Sequence, residues 1–121
     1  MKYDTSETGW RTILKDYVGN ILEKFIQEGE IFEMNSGEAF RYESKQLEEQ
    51  DRTISRASII FALNDMVDMG LLTWRDKTGK GGHHRVYSLA MTPSQLEVYV
   101  VTLLLQRIKD TWPQAYQKVV Q

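Results

Sequence analysis

At 121 residues and 41% apolar content the chain is long enough to bury one sizeable core and too short for a second independent domain, so a single domain over residues 1–121 is expected. The absence of cysteine excludes disulfide scaffolds, thiolate metal sites and cysteine nucleophiles, and suits a reducing cytosol. A net charge of −2 argues against a general nucleic-acid coat, the N-terminus lacks a signal peptide's apolar run, and no apolar stretch reaches bilayer-spanning length. The expectation is a cytoplasmic protein without a membrane partner.

In chain order, Trp10, Ile13, Leu14, Tyr17, Val18, Ile21, Leu22, Phe25 and Ile26 recur every three to four residues and predict one helix from Thr8 to about Gln27 (8–28 as an outer bound), stopped by Gly29. Its apolar stripe is wider than one small core needs, so part of it is expected to face a partner. Gly19 within it either allows close backbone approach or is simply tolerated. A short strand through Ile31 and Phe32 is expected in Glu30–Asn35. Ser36 is expected to cap a polar helix that turns Ala39, Phe40 and Leu47 inward and ends near Asp51. Residues 28–50 hold seven glutamates against Arg41 and Lys45, a balance of −5, and read as solvated helix faces.

The next segment, Thr53 to Leu89, is the most informative. With Ser55 as N-cap, Ile59, Leu63 and Met66 recur at i, i+4 and i+7 and form a core stripe, while Arg56, Ala57, Ile60 and Asn64 point elsewhere. Gly70 supplies a left-handed stop. Leu71 and Leu72 then begin a strand in which Trp74 alternates with Thr73 and Arg75, the chain turns at Thr78 to Gly82, and it returns through Arg85 to Leu89. Residues 71–90 hold Arg75, Lys77, Lys80 and Arg85 against Asp76, a local balance of +3.

Thr92-Pro93-Ser94-Gln95 is a capping box with proline at the first helical position. The helix it starts runs to about Trp112 with two apolar stripes, Leu96, Val100 and Leu103 on one, and Val98, Val101, Leu105, Ile108 and Trp112 on the other. The second has the alternating three and four spacing of a coiled-coil seam and is the expected dimer interface. Pro113 breaks this helix, and Ala115, Tyr116, Val119 and Val120 predict a short final one.

Ile54-Ser55-Arg56-Ala57-Ser58, the amphipathic run after it, Gly70-Leu71-Leu72, the glycine-rich basic turn and Arg85-Val86-Tyr87-Ser88-Leu89 together resemble winged helix-turn-helix transcriptional regulators. The likeness is greatest to the penicillinase-repressor-like group and looser to the MarR and PadR groups. It covers roughly the middle third of the chain. It implies a mainly α fold with a small β-hairpin wing, a helix-turn-helix and wing over residues 36–90, flanking N- and C-terminal helices with dimerisation through residues 92–121, and a homodimer that binds duplex DNA and represses transcription. Ile60 and Phe61 depart from the pattern, standing where polar or basic residues are common.

Carried onto these residues, the resemblance implies a DNA-contacting set. Arg56 would meet guanine, Ser55, Ser58 and Asn64 would bond phosphates or base edges, and Ala57 lies among them. Arg75, Lys77, Lys80 and Arg85 would neutralise phosphates, and one of His83 and His84 would face the backbone or minor groove. Ile60 and Phe61 keep two readings, contact with thymine methyls or packing within the protein. Adjacent histidines on a strand point to opposite faces with no third ligand nearby, so no metal is expected. Gly79-Lys80 lacks the following Ser/Thr of a phosphate-binding loop. No nucleophile-base constellation emerges, so no enzyme and no cofactor are expected. Whether a small-molecule effector exists is not written in the sequence. The alternative is a winged-helix protein-interaction module using Ile60 and Phe61.

Overall fold

The computed structural model describes residues 1–79 and 82–121, which fall into two compact units, Met1–Met91 and Thr92–Gln121. The single N-terminal helix expected from Thr8 to Gln27 is in fact broken. Gly9–Thr12 is a 3-10 turn, Lys15 is extended, and α1 runs over Asp16–Glu28. The break lets the adjacent Ile13 and Leu14 both bury, although neighbours on a continuous helix point about 100° apart. The carbonyls of Thr12 and Ile13 accept from the N–H groups of Asp4 and Lys2 at 2.7 and 2.9 Å, so the interruption leaves both satisfied. Along α1, Val18, Ile21, Leu22 and Phe25 face the core.

No strand forms over Glu30–Asn35. Ile31 is 95% exposed, and the backbone of the segment meets the sheet at the bridge of Met34 with Tyr87, made by two hydrogen bonds of 3.0 and 2.8 Å. The cap of α2 (Ser36–Glu48) is Asn35 and not Ser36. Asn35 Oδ1 accepts from the Glu38 N–H while Glu38 Oε1 accepts from the Asn35 N–H, a reciprocal box that Ser36, with Ala39 three residues on, has no acid to close. Ala39 and Leu47 are buried as expected and Phe40 is half-buried.

Helix α3 (Arg56–Asp68) is capped by Ser55 Oγ, which accepts from the Ser58 N–H at 3.1 Å, and it buries Ile59, Ala62, Leu63 and Met66. Its C-terminus is a Schellman turn. Gly70 sits at φ 82°, its N–H bonds to the Val67 carbonyl, and the Leu71 N–H reaches back to Met66, each at 2.9 Å. A side chain at Gly70 would be strained, so the chain reverses there and enters the antiparallel hairpin of β1 (Leu72–Gly79) and β2 (Gly82–Leu89). Trp74 pairs with Tyr87 and Lys77 with His84. Among the described residues the hairpin is buried at its base alone, by Leu72, Val86, Tyr87 and Leu89, so β1 is exposed beyond Leu72 where a half-buried strand is expected. Two helices forming a helix-turn-helix, a leading helix and this wing make the unit a winged helix-turn-helix, mainly α with a small β-hairpin.

In the second unit the capping box closes as expected. Thr92 Oγ1 accepts from the Gln95 N–H, Gln95 Oε1 accepts from the Thr92 N–H, and α4 runs over Pro93–Thr111. Trp112 breaks from helical geometry before α5 (Pro113–Val120). Leu96 and Val100 are buried, whereas Leu103, expected on the same stripe, is exposed. No helix among the described residues is long and apolar enough to cross a membrane.

Among the described residues one polar side chain breaks the rule of the core. Glu43, expected on a solvated face, lies between Ala39 and Leu47 at four-residue spacing and is fully buried. Its carboxylate accepts long hydrogen bonds, 3.4 and 3.5 Å, from Asn20 Nδ2, whose Oδ1 in turn accepts from Arg11 Nη1 at 2.6 Å. That orientation commits the Asn20 amide and leaves Glu43 nothing stronger. Gly19 now has its reason, because a Cβ there would meet Arg11 Cγ at 2.9 Å and push the arginine off the helix.

Burial raises the Glu43 carboxyl from an ordinary 4.5 to about 7, against the smaller opposing effect of the Asn20 bond. A raised folded-state pKa means that the native chain holds the proton longer than the unfolded chain. The associated stability is therefore complete below about pH 4.5 and is lost as pH rises through about 7. Glu43→Gln should flatten that slope and raise stability at pH 8 by about 1–3 kcal/mol. Urea unfolding of both proteins between pH 5 and 8 checks this, and parallel pH profiles would refute it.

Candidate nucleic-acid interface

The buried stripe of α3 fixes which side chains face out. Arg56, Ala57, Ile60 and Phe61 are exposed and occupy the first two turns, while Asp65 and Asp68 are confined to the last two. The acids therefore sit away from the helix's amino end, where the partial positive charge of the backbone also lies. Ser55 and Ser58 are tied to each other as cap and first-turn partner, with their hydroxyls 2.8 Å apart.

Arg56 does not stand alone. A Cβ placed on Gly37, in the first turn of α2, would meet Arg56 Nη2 at 3.2 Å and Arg41 Nη1 at 3.5 Å, so two guanidinium groups converge on the amino end of α2. Both arginines are exposed, and neither forms an ion pair among the described residues. Arg41 was not in the expected site set. Only a packed structure could bring it beside Arg56, fifteen positions later in sequence.

Asn64 has a different environment from the rest of the expected reading set. Its Oδ1 accepts from the Tyr87 hydroxyl at 2.9 Å and lies 3.5 Å from Arg85 Nη1, so it joins α3 to the hairpin. Arg85 in turn lies over the Trp74 ring, 4.0 Å from its centre. Trp74, Arg85 and Tyr87 share one face of the hairpin by the alternation of the strands. Tyr87 is the buried anchor of this chain, and Trp74 and Arg85 extend it toward the tip.

The opposite hairpin face carries Arg75, Lys77 and His84. Arg75 is held in a bidentate pair by Glu33, with Nε and Nη2 donating at 2.6 and 2.7 Å. The pair holds the Glu33 carboxyl below its usual range, and Arg75's charge is largely spent at home. Lys77 makes no ion pair among the described residues. His83 Nδ1 is 3.3 Å from the Thr78 hydroxyl, and His84 falls on the other face. No group of three metal-ligating side chains comes together among the described residues. Lys80, expected at the tip of the wing, lies outside the described residues.

The expected dimer stripe, Val98, Val101, Leu105, Ile108 and Trp112, is exposed along its whole length, with Val98 and Trp112 the most open at 67% and 62%.

No protein-family model and no curated protein matches the sequence. Solved structures do match. A protein from Methanosarcina mazei described as a possible transcriptional regulator superposes with a TM-score of 0.62, at 14% identity, over 87% of this chain and 78% of its own. One from Thermoplasma acidophilum, described in similarly provisional terms as a transcriptional regulator, gives 0.48 at 18% identity over 83% and 95%. The first is a likeness of fold, in keeping with the winged-helix architecture, and the second is too loose to carry an argument.

If Asn64 fixes the hairpin relative to α3, removing either partner of its bond should cost similar energy. Tyr87→Phe and Asn64→Ala are each expected to destabilise by about 1 kcal/mol, and the double variant by clearly less than their sum. Urea denaturation of the three variants measures the coupling, and strictly additive losses would mean that the bond contributes nothing.

Proposed function

We propose that the chain is a sequence-specific duplex-DNA-binding transcriptional regulator that acts as a homodimer, in the manner of the penicillinase-repressor-like proteins it resembles. The observation that carries this reading is the convergence of Arg56 and Arg41 at the amino ends of α3 and α2, beside an α3 face kept free of acids for two turns. A helix entering the major groove by its amino end needs that arrangement, because phosphates flank the groove and base edges lie at its floor. In this reading Ser55 and Ser58 bond phosphates, Arg56 reads guanine, Lys77, Arg85 and the His83-His84 pair meet the backbone, and Lys80 joins the set by its place in the sequence alone. Asn64 serves this reading by aligning Arg85 as well as by its own reach. Repression would follow from two α3 helices occupying sites about 34 Å apart and excluding other proteins.

A second reading, a winged-helix module that binds protein, is favoured by the exposed Ile60 and Phe61. Salt separates the two, since phosphate contacts release counterions and apolar protein contacts do not.

Binding to a site selected from random duplexes should weaken steeply with salt. Lys77→Ala should reduce the log–log slope by about one unit, while Glu33→Gln, by freeing Arg75, should steepen it. Titration at several salt concentrations measures these slopes, and salt-independent binding would remove DNA from the reading.

The exposed stripe of α4 supplies the dimer. Val98, Val101, Leu105, Ile108 and Trp112 repeat at coiled-coil spacing, and a second copy of the same stripe is the simplest cover. Replacing Leu105 and Ile108 together by Glu should place charges in that seam at a cost of several kcal/mol and yield monomers. Sedimentation velocity at micromolar concentration tests this, and a wild-type chain that sediments as a monomer ends the proposal.

A further inference from the structure

We infer that α3 reads the 5-methyl groups of thymines through Ala57, Ile60 and Phe61, a specificity that rests on the DNA-binding reading above and narrows it. These residues stand at i, i+3 and i+4, so they form one contiguous patch on the outward face, where Phe61 is 68% and Ile60 38% exposed. The helix has already filled its core stripe with Ile59, Ala62, Leu63 and Met66, so the outer three are surplus to packing. None of the three side chains carries a hydrogen-bond donor or acceptor. They cannot distinguish guanine from adenine by hydrogen bonds. The base-edge feature of the major groove that an apolar side chain recognises is the pyrimidine 5-methyl, and in unmodified DNA thymine alone has it.

Charge commits the patch to a nucleic-acid occupant. Arg56 precedes it and Arg41 lies beside Arg56 against Gly37, both exposed, while Asp65 and Asp68 are set back to the far end of the helix. A polyanion is drawn to the amino end, which is the end that carries the apolar patch. Arg56 supplies hydrogen-bond reading and the next turn supplies methyl reading, so a half-site should hold thymines within a few bases of the Arg56 contact.

Substitution of thymine by deoxyuridine removes the methyl and keeps every hydrogen bond, so it isolates the contact. In the site recovered from a random library, replacing thymines one at a time should weaken the wild-type protein about fourfold at one or two positions per half-site, the value of one buried methyl. Phe61→Ala and Ile60→Ala, whose folding is verified by thermal melting, should bind the thymine and uracil forms of those positions nearly equally. A protein that binds the site with a normal salt slope, yet has the same affinity for both forms at every position, overturns methyl reading and leaves DNA binding standing. A protein that binds no duplex in a salt-dependent way overturns both, and assigns the Ile60 and Phe61 patch to a protein partner.

Discussion

Complete burial of Ile59, Leu63 and Met66 fixes the rotation of α3 about its own axis, and the arrangement of the candidate site depends on that one constraint. A helix has a single circumference. Once those three face inward, Ala57, Ile60 and Phe61 must face outward whatever their own hydrophobicity. Rotating α3 to hide Phe61 would expose a residue of the core stripe, and burying one such side chain is worth about 1.5–3 kcal/mol. The exposed apolar face is therefore a consequence of a better-filled opposite face, and it persists because nothing within the first unit competes for it. The Schellman turn at Gly70 carries the same constraint onward, since the hairpin leaves α3 at an angle set by where α3 ends.

A second tier of contacts is polar and positional. Tyr87 is buried at the base of the wing, bridges by backbone to Met34, and bonds Asn64 by its hydroxyl. One residue thus joins the segment before α2, the helix α3 and the hairpin. Its ring provides the burial and its hydroxyl the direction, a division of labour that an aliphatic residue cannot perform. Glu43 works in the opposite sense. It sits on the inner stripe of α2 with only long bonds from Asn20, so its ionised form is held at a cost that a neutral residue of similar shape would avoid.

What the sequence made legible follows from range. The α3 stripe, its Ser55 cap, the Gly70 stop and the Thr92–Gln95 box are set by residues within a few positions of one another, and each formed as expected. The break at Ile13–Lys15 was hidden because the apolar spacing runs straight through it, and what stabilises it are bonds from Lys2 and Asp4 to distant carbonyls. The absent strand was suggested by two adjacent apolar residues, of which Phe32 packs edge-on against Phe25 while Ile31 stays exposed and only Met34 bridges to the sheet. Two further signals are local. Asn35 with Glu38 has box spacing, and Glu43 falls four residues from both Ala39 and Leu47, so its burial was written in the same periodicity that placed them. Within the candidate site, exposure along α3 could be read from its period, but Arg41 beside Arg56 and Glu33 on Arg75 are long-range meetings without a local signature.

Those long-range meetings decide how far a count of basic residues describes a surface. By sequence the hairpin segment carries a surplus of three positive charges, yet the arginine nearest its base is matched atom for atom by Glu33, a residue outside the hairpin. Arg85 is spread over the Trp74 ring, which restrains its guanidinium without neutralising it. Two arginines of equal formal charge on one small hairpin thus have different uses: one fastens the wing to the segment before α2, and the other keeps its charge while losing its freedom to wander. Preorganisation of that second kind lowers the entropy cost of a later contact, so the arginine with an aromatic floor is the better placed of the two to meet an anion.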